Sequence, residues 1–283
     1  MRTLTSRLLI SLAIATCSLP GLAATPIEQW LPQAQQGDAA AQMSLASAYY
    51  FGRGMPQDFA EALKWYRLAA AQGEMSAQYN AAVMLEHGQG GAPDLKEALK
   101  LYRLAAEQGN AKAQYNLGVM YTYGRGGAQN DKEAIKWYQL AAEQGSVAAQ
   151  YSMGAVYEQG VGTARDYKEA LKWYRMAADQ GHTKALGNLA AMYANGQGVP
   201  KDPVVAYALH SIAGGNDTAD KGKGAKRSAL PKGMTARALE AAQELAAKMA
   251  PAGRLLAELD RYTDSADKAE SASSAQGSAR LTH

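Results

Sequence analysis

The chain has 283 residues, with 29 Lys and Arg, 26 Asp and Glu, and a single cysteine. A formal net charge of +3 is too small for a protein that binds nucleic acid by neutralising phosphates. One cysteine excludes an intramolecular disulfide framework and a cysteine-based metal site. The chain also has 28 glycines, and 16 tyrosines against two phenylalanines. Because glycine normally disfavours helices, both counts require a structural explanation.

The first 24 residues have the pattern of an export signal. Arg2 and Arg7 precede a short apolar stretch, and Ala23 and Ala24 offer small residues for cleavage. The stretch is shorter than the ~20 residues of a membrane-spanning helix, and no later segment has the length and hydrophobicity to span. We therefore expect residues 1–24 to be a signal peptide and the mature protein to be periplasmic or secreted.

Cys17 leaves an alternative for this end of the chain. The segment from Ile14 to Cys17 resembles a degenerate lipoprotein box, in which the cysteine becomes lipidated. Such boxes prefer Gly or Ala directly before the cysteine, whereas this sequence has Thr16. We therefore favour cleavage near Ala23, which removes the single cysteine, over a lipid anchor at Cys17.

Residues 37–216 contain five copies of one 36-residue unit without insertions. A Gln-Gly dipeptide, an alanine and a Gly-x-Gly pair all recur at the same step. The glutamines of the dipeptides are Gln36, Gln72, Gln108, Gln144 and Gln180. A repeat of this length is typical of solenoids, in which stacked units bury a shared core.

Each unit predicts a pair of helices. In the third unit Ala113, Leu117 and Tyr121 fall on one face of a first helix, which we expect to run from about Ala111 and to end at Gly124. The second helix begins with an Asp or Asn three residues before a Glu, the pattern of a capping box. The N-cap residues are Asp58, Asp94, Asn130 and Asp166, with Asp202 before Pro203 in the fifth unit.

The segments outside the repeats predict caps and a disordered end. Residues 25–36 include Trp30 and Leu31 and resemble the end of a second helix, so they form an N-terminal capping segment. We expect residues 217–250 to form C-terminal capping helices and residues 251–283 to be a largely disordered tail. The predicted fold is all-α, an α/α superhelix (solenoid) of five 36-residue helix-turn-helix repeats with terminal capping helices.

The unit resembles the Sel1-like repeat, a relative of the tetratricopeptide repeat. The resemblance is carried best by Gly109 to Tyr121, Gly124-Arg-Gly126 and Ala134 to Ala142. It implies a superhelix that holds proteins or peptides, often in bacterial envelopes, in roles that include regulation or immunity-type inhibition of one envelope protein. Some cysteine-rich relatives are described as binding or hydrolysing β-lactams, but those carry a disulfide in each repeat. A β-lactam or cell-wall hydrolase is therefore the alternative function.

The helical wheel places columns of Tyr and Asn on the face of the first helices that points away from their own core. At ~100° per residue, Tyr115 lies about 160° from Leu117. In solenoids of this kind the first helices line the concave side. There Tyr supplies rigid apolar area, and Asn can bond an extended backbone. The predicted partner-binding residues are Tyr50, Tyr79, Asn80, Tyr115, Asn116, Tyr123, Tyr151 and Asn188.

These columns also have structural interpretations. Tyr79, Tyr115 and Tyr151 would pack between adjacent first helices, and the asparagines would hydrogen-bond locally across repeats. The tryptophans of the second helices and the methionines that share one slot of the first helices are expected to belong to the core. These core residues are Trp65, Trp137, Trp173, Met84, Met120 and Met192.

The sequence contains no recognisable catalytic motif. Its four histidines are not paired at metal-ligand spacing, and it has no P-loop. A local basic cluster at residues 221–232 is interpreted as a solvated face, with contact to phospholipid or an acidic partner as the alternative. We therefore expect no catalytic residues, no cofactor and no metal, and a protein or peptide partner with no nucleic acid and no membrane span.

Overall fold

We describe a computed structural model of the chain over residues 26–216, 234–251 and 253–265. Within these ranges every element of regular secondary structure is an α-helix. The predicted signal peptide, Cys17 and the basic cluster at residues 221–232 lie outside the described residues. The helices are α1 (Pro26–Gln35), α2 (Ala39–Phe51), α3 (Phe59–Ala71), α4 (Met75–His87), α5 (Leu95–Glu107), α6 (Ala111–Tyr123), α7 (Asp131–Glu143), α8 (Val147–Gln159), α9 (Tyr167–Asp179), α10 (Thr183–Asn195), α11 (Pro203–Asn216), α12 (Ala236–Met249) and α13 (residues 255–265).

The five predicted units are the five helix pairs α2/α3, α4/α5, α6/α7, α8/α9 and α10/α11. The predicted first helix of the third unit is confirmed by α6, which begins at Ala111. It ends where Gly124 adopts a left-handed conformation with φ +62°, and the Gly124 N–H donates to the carbonyl of Met120. The helices pack on their neighbours along the chain, with α1 against α2. The solenoid of five helical repeats is therefore confirmed.

The N-caps of the second helices are confirmed, but only half of each capping box forms. Asp58 Oδ1 accepts from the backbone N–H groups of Ala60 and Glu61 at 2.9 and 3.0 Å. The Glu61 carboxylate does not return to the cap, because the Asp58 N–H donates to the carbonyl of Tyr49. Glu61 instead accepts from Trp65 Nε1 at 3.1 Å. Glu133 accepts from Trp137 in the same way at 3.2 Å, whereas in the fourth unit Trp173 Nε1 has no hydrogen-bond partner among the described residues.

Small and large apolar side chains alternate in the core. Alanines at matching positions of the first and second helices are almost fully buried, which lets the helix axes approach closely. Between them, Trp65, Trp137 and Trp173 are each only 6% exposed, so the predicted core role of the tryptophans is confirmed. The methionines that share one slot are buried as predicted: Met84, Met120 and Met192.

The second glycine of the Gly-x-Gly pair allows adjacent units to approach. Gly126 has φ +77°, and a Cβ there would lie 2.1 Å from the carbonyl oxygen of Leu95 at the start of α5. Gly90 faces the carbonyl of Phe59 in the same way, at 2.4 Å. The glycine content is thus compatible with a helical fold, because these glycines lie in the connections between helices.

A buried glutamine ties three helices together in each of the first four units. Gln42 lies on α2, and its Nε2 donates to the carbonyl of Ala34 at the end of α1. Its Oε1 accepts from Gln72 Nε2 at 2.8 Å, where α3 ends. One side chain of a first helix therefore bridges the second helices on either side. The other buried members of this column are Gln78, Gln114 and Gln150.

The C-terminal end differs from its prediction. Residues 255–265, inside the segment expected to be largely disordered, form α13. This helix packs through buried Leu255 and Leu259, and Arg175 of α9 pairs with Asp260. These apolar residues precede the Ser/Ala-rich part of the tail, whose composition governed the prediction. The capping helix over Ala236–Met249 forms as α12.

Candidate protein-binding groove

The tyrosine column of the first helices packs partly on the second helices. Tyr115 of α6 lies against Tyr138 of α7, with ring centroids 5.8 Å apart. Tyr79 and Tyr151 make the same contact in their own units, at 6.0 and 5.7 Å. All three first-helix tyrosines are half-buried. Each ring therefore has one face in the structure and leaves part of its surface to solvent.

The asparagine column lies beside tyrosine hydroxyls of the preceding unit. Burial raises the pKa of Tyr79, the Glu86 charge raises it further, and a hydrogen bond with Asn116 of the next first helix opposes both effects. Asn80 and Asn188 hydrogen-bond second-helix tyrosines in the same manner, Tyr66 and Tyr174. Both interpretations of the asparagines, local contact with tyrosines and contact with a partner, stay predictions.

A third column, about two helical turns beyond the tyrosine column, is acidic in alternate units, at Glu86 and Glu158. Glu86 accepts from the hydroxyl of Tyr102 at 2.7 Å and from Arg125 Nη1 at 2.6 Å. Glu158 holds the same slot two units later and accepts from the Tyr174 hydroxyl at 2.6 Å. Burial of the second-helix tyrosines raises their pKa, to about 12 for Tyr138, so they remain protonated donors at neutral pH.

Two pockets of matching composition open between neighbouring first helices. Pocket A, of about 290 Å³, lies between α2 and α4, and pocket B, of about 240 Å³, lies between α6 and α8. Nine residues line pocket A, and for seven of them the equivalent residue two units later, 72 positions along the chain, lines pocket B. The shared slots are Tyr50/Thr122, Phe51/Tyr123, Tyr66/Tyr138, Tyr79/Tyr151, Asn80/Ser152, Val83/Ala155 and Met84/Val156.

Each pocket has an exposed aromatic side chain at its rim. Phe51 is 57% exposed at pocket A, and Tyr123 is 72% exposed at pocket B. Both lie at the last residue of a first helix. Exposed aromatic side chains beside a concave apolar surface are characteristic of binding sites, because they bury a large area at low entropic cost.

The structure brings most of the predicted binding residues together at these pockets. Tyr50, Tyr79 and Asn80 line pocket A, and Tyr123 and Tyr151 line pocket B. The remaining three lie between them or beyond: Tyr115, Asn116 and Asn188. We call the surface of the first helices that carries these eight residues the groove.

Phe51 was not selected from the sequence, although it has the same slot as Tyr123. Its column reads Phe51, His87, Tyr123 and Gln159, which looks mixed when each unit is compared with the next. Comparison of each unit with the second one after it shows that Phe51 and Tyr123 occupy the same slot and are both aromatic. The two aromatic rim residues thus recur at twice the repeat length, whereas the pockets themselves depend on how neighbouring units pack.

The described residues provide little metal or membrane chemistry. Within them no group of three or more His, Cys, Asp or Glu side chains is arranged to hold a metal ion. None of the described helices combines the length and hydrophobicity needed to cross a bilayer.

Comparison with known proteins identifies the repeat. The Sel1 repeat family matches residues 39–74, 76–110, 111–146, 147–182 and 183–214. A Sel1 repeat protein from Oxalobacter formigenes is 37% identical, with a TM-score of 0.61 over 64% of this chain and 74% of that one. An SLR-fold protective antigen of uropathogenic Escherichia coli is 29% identical over 83% of this chain and 58% of that one, with a TM-score of 0.49.

An immunity protein from Pseudomonas aeruginosa is also similar, at 22% identity and a TM-score of 0.39, over 67% of this chain and 71% of that one. A search of the curated proteins gave no match. Five matched repeats, their helix pairs and the solved relative with the same repeat agree on one architecture. The chain is a repeat scaffold that belongs to the Sel1 repeat family.

Proposed function

We propose that this chain is an exported, non-catalytic scaffold that binds a protein or peptide partner along the groove. The observation that carries the proposal is the pair of matching pockets, each with an exposed aromatic side chain at its rim. Two equivalent pockets on one continuous surface favour an extended partner that enters both, because a small ligand fills only one. Linked contacts of this kind strengthen binding without requiring either pocket to be tight.

Site-specific photo-crosslinking in intact cells tests the groove. A photo-reactive amino acid at Tyr123 or Phe51 should capture a discrete partner. The control position is Leu104, an exposed apolar residue of second helix α5, and it should not capture that partner. Equal capture from Tyr123 and Leu104 would contradict the groove as the binding surface.

Substitution distinguishes binding from stability. Tyr123→Ala and Phe51→Ala remove exposed rings, so we expect weaker partner capture with unchanged helicity and thermal stability. The matched control Leu104→Ala removes a comparable exposed side chain from the opposite helix of a unit and should leave capture unchanged. Replacement of the half-buried Tyr79, Tyr115 and Tyr151 is better made with Phe, which keeps their ring contacts with the second helices.

Export is part of the proposal, and the support for it is the pattern of residues 1–24. Cell fractionation should place the protein outside the cytoplasm, and mass spectrometry should find a mature N-terminus near Ala24 or Thr25. An N-terminal lipidated Cys17 would replace the cleaved form with an anchored one. Recovery of the uncleaved chain from the cytoplasm would contradict export.

The narrower proposal is that the partner is one envelope protein that this scaffold regulates or inhibits. Its support is the combination of the export pattern with a scaffold built for protein contacts. Deletion should alter the activity of that partner, and Tyr123→Ala should reproduce the effect of deletion. Robust turnover of nitrocefin or peptidoglycan by the pure protein would overturn the non-catalytic assignment in favour of hydrolysis.

A further inference from the structure

Glu86 and Glu158 occupy the same position in two different units. One of them is paired with an arginine and the other is not. In the second unit, Glu86 accepts from the Tyr102 hydroxyl and forms an ion pair with Arg125, from the loop after α6. This carboxylate is only 11% exposed. The molecule therefore shows how a guanidinium group is held at this slot, with a tyrosine hydroxyl beside it.

Two units later the arginine is missing. Glu158 keeps the tyrosine contact, since it accepts from Tyr174. The residue equivalent to Arg125 is Gln197, and among the described residues Glu158 forms no ion pair. The Glu158 side chain is half-buried, and the Tyr174 hydroxyl supplies only one of the several hydrogen bonds that a carboxylate can accept.

Glu158 lies on α8, the helix that forms one wall of pocket B. Val156 and Gln159 of this helix line the pocket, whereas the Glu158 carboxylate accepts from the hydroxyl of Tyr174 on α9. The exposed ring of Tyr123 stands at the other side of the same pocket. A carboxylate and one wall of an apolar pocket with an aromatic rim are thus carried by the same first helix, α8.

We propose that Glu158 is the recognition site for a basic side chain, preferably arginine, of an extended peptide whose neighbouring apolar side chain enters pocket B. This inference rests on the proposed function and specifies its ligand. Arginine is favoured over lysine because the cation in the equivalent internal slot is an arginine, whose Nη1 donates to the carboxylate oxygen that the tyrosine leaves free. The internal pair of Glu86 and Arg125 is then the structural mimic of the bound state.

Introduction of an arginine beside Glu158 tests whether this position accepts a guanidinium group. Gln197→Arg places an internal arginine where the fifth unit lacks one, and it should pair with Glu158. A thermal-unfolding double-mutant cycle with Glu158→Gln should then show favourable coupling between positions 158 and 197. Absence of coupling would contradict the proposed geometry.

Peptide binding tests the ligand itself. The probes are fluorescein-labelled peptides with one phenylalanine and one arginine separated by one to five alanines, and matched peptides with alanine in place of arginine. We expect the best arginine peptide to bind the wild-type chain ~10-fold more tightly than its alanine partner. Glu158→Gln and Gln197→Arg should each abolish that difference, whereas the conservative Glu158→Asp should retain part of it.

The outcomes separate this inference from the proposed function. If peptides bind in a manner that depends on Tyr123 but not on arginine or Glu158, the groove is correct and the recognition of a basic residue is wrong. If binding depends on neither residue, both are wrong. Failure of every arginine peptide to bind at millimolar concentration also contradicts the inference.

Discussion

Gln144 Nε2 donates a hydrogen bond of 2.7 Å to Oε1 of Gln114, and Gln114 Nε2 donates to the carbonyl of Ala106 at 3.1 Å. The Gln-Gly dipeptide that marks each repeat in the sequence thereby acquires a function, because its glutamine anchors the buried amide of the first helix. In the fifth unit Leu186 replaces the buried glutamine, and Asn216 stands where the dipeptide glutamine would be. Both partners therefore change together.

Replacement of the buried glutamine alone should lower the free energy of unfolding. Gln114→Leu leaves the Ala106 carbonyl and the Gln144 amide without their partner, so we expect a loss of about 1–3 kcal/mol of unfolding free energy. Urea denaturation followed by circular dichroism measures it. Leu186→Ala is the control for ordinary core packing, and Gln114→Leu with wild-type stability would show that the network contributes nothing.

The approach of adjacent units depends on the second glycine of the Gly-x-Gly pair. Gly126→Ala combines a positive φ with a Cβ placed 2.1 Å from the Leu95 carbonyl. Gly109→Ala is the matched control, since Gly109 has φ +94° but no atom within 4 Å of an added Cβ. We expect Gly109→Ala to cost about 1–2 kcal/mol from conformation alone, and Gly126→Ala to cost clearly more. Equal thermal stabilities of the two variants would contradict the close contact.

His182 should make the stability of the fourth and fifth units depend on pH. Its Nδ1 accepts from the Ala185 N–H as the N-cap of α10, and its ring stacks on Tyr151 with centroids 4.6 Å apart. Burial, and then the charge of Lys184, lower the pKa of His182 below its ordinary value of 6.5. The unfolded chain therefore binds the proton more readily, so stability is full above pH 6.5 and falls as the pH decreases below that value.

The matched variant for this prediction is His182→Asn, because Asn110 holds the same N-cap position in the third unit. This variant should keep the cap and lose the decrease in thermal stability between pH 6.5 and 5 relative to the wild type. The same slope in both proteins would exclude His182 as its source.

The second-helix tyrosines should make the fold labile at high pH. Burial raises the pKa of Tyr138 to about 12, although a hydrogen bond with Thr122 opposes the shift. Since an unfolded tyrosine titrates near 10, the unfolded state releases its proton first, and stability falls as the pH rises from 10 towards 12. Tyr138→Phe should reduce this loss, whereas Tyr123→Phe, at an exposed ring whose charge is the smallest cause of the Tyr138 shift, should change it much less. Ultraviolet difference titration with parallel circular dichroism measures both.

The repeat step and the turn chemistry were enough to predict the helix pairs. A 36-residue period with a left-handed glycine after each first helix determines where helices end, which is why α6 was predicted to start at Ala111. The Asp58 cap was predicted because it depends on adjacent residues. The partner of Glu61 was not predicted. The Asp58 N–H donates to the carbonyl of Tyr49, and Glu61 accepts from Trp65, and the pattern of adjacent residues does not show which of these hydrogen bonds forms.

The candidate groove was predictable as a set of columns, but its pockets were not. Tyr79 and Asn80 could be placed on the outward face by helical periodicity alone. The pocket around Phe51 depends on how neighbouring units pack, so it becomes visible only with tertiary structure. Likewise, Arg125 and Glu86 are 39 positions apart and belong to different units. Patterns within one 36-residue unit therefore cannot predict that they pair.

Among helices α1 to α12, the extensive contacts join consecutive helices, and this has a consequence for the order in which the molecule opens. A chain held by neighbour contacts does not need to unfold in one step. Amide hydrogens in α6 and α7, which have complete units on both sides, should exchange most slowly with solvent, and protection should decrease towards α1 and α11. Pocket B, which lies beside this slowest-exchanging region, would then keep its shape while the ends of the array open and close.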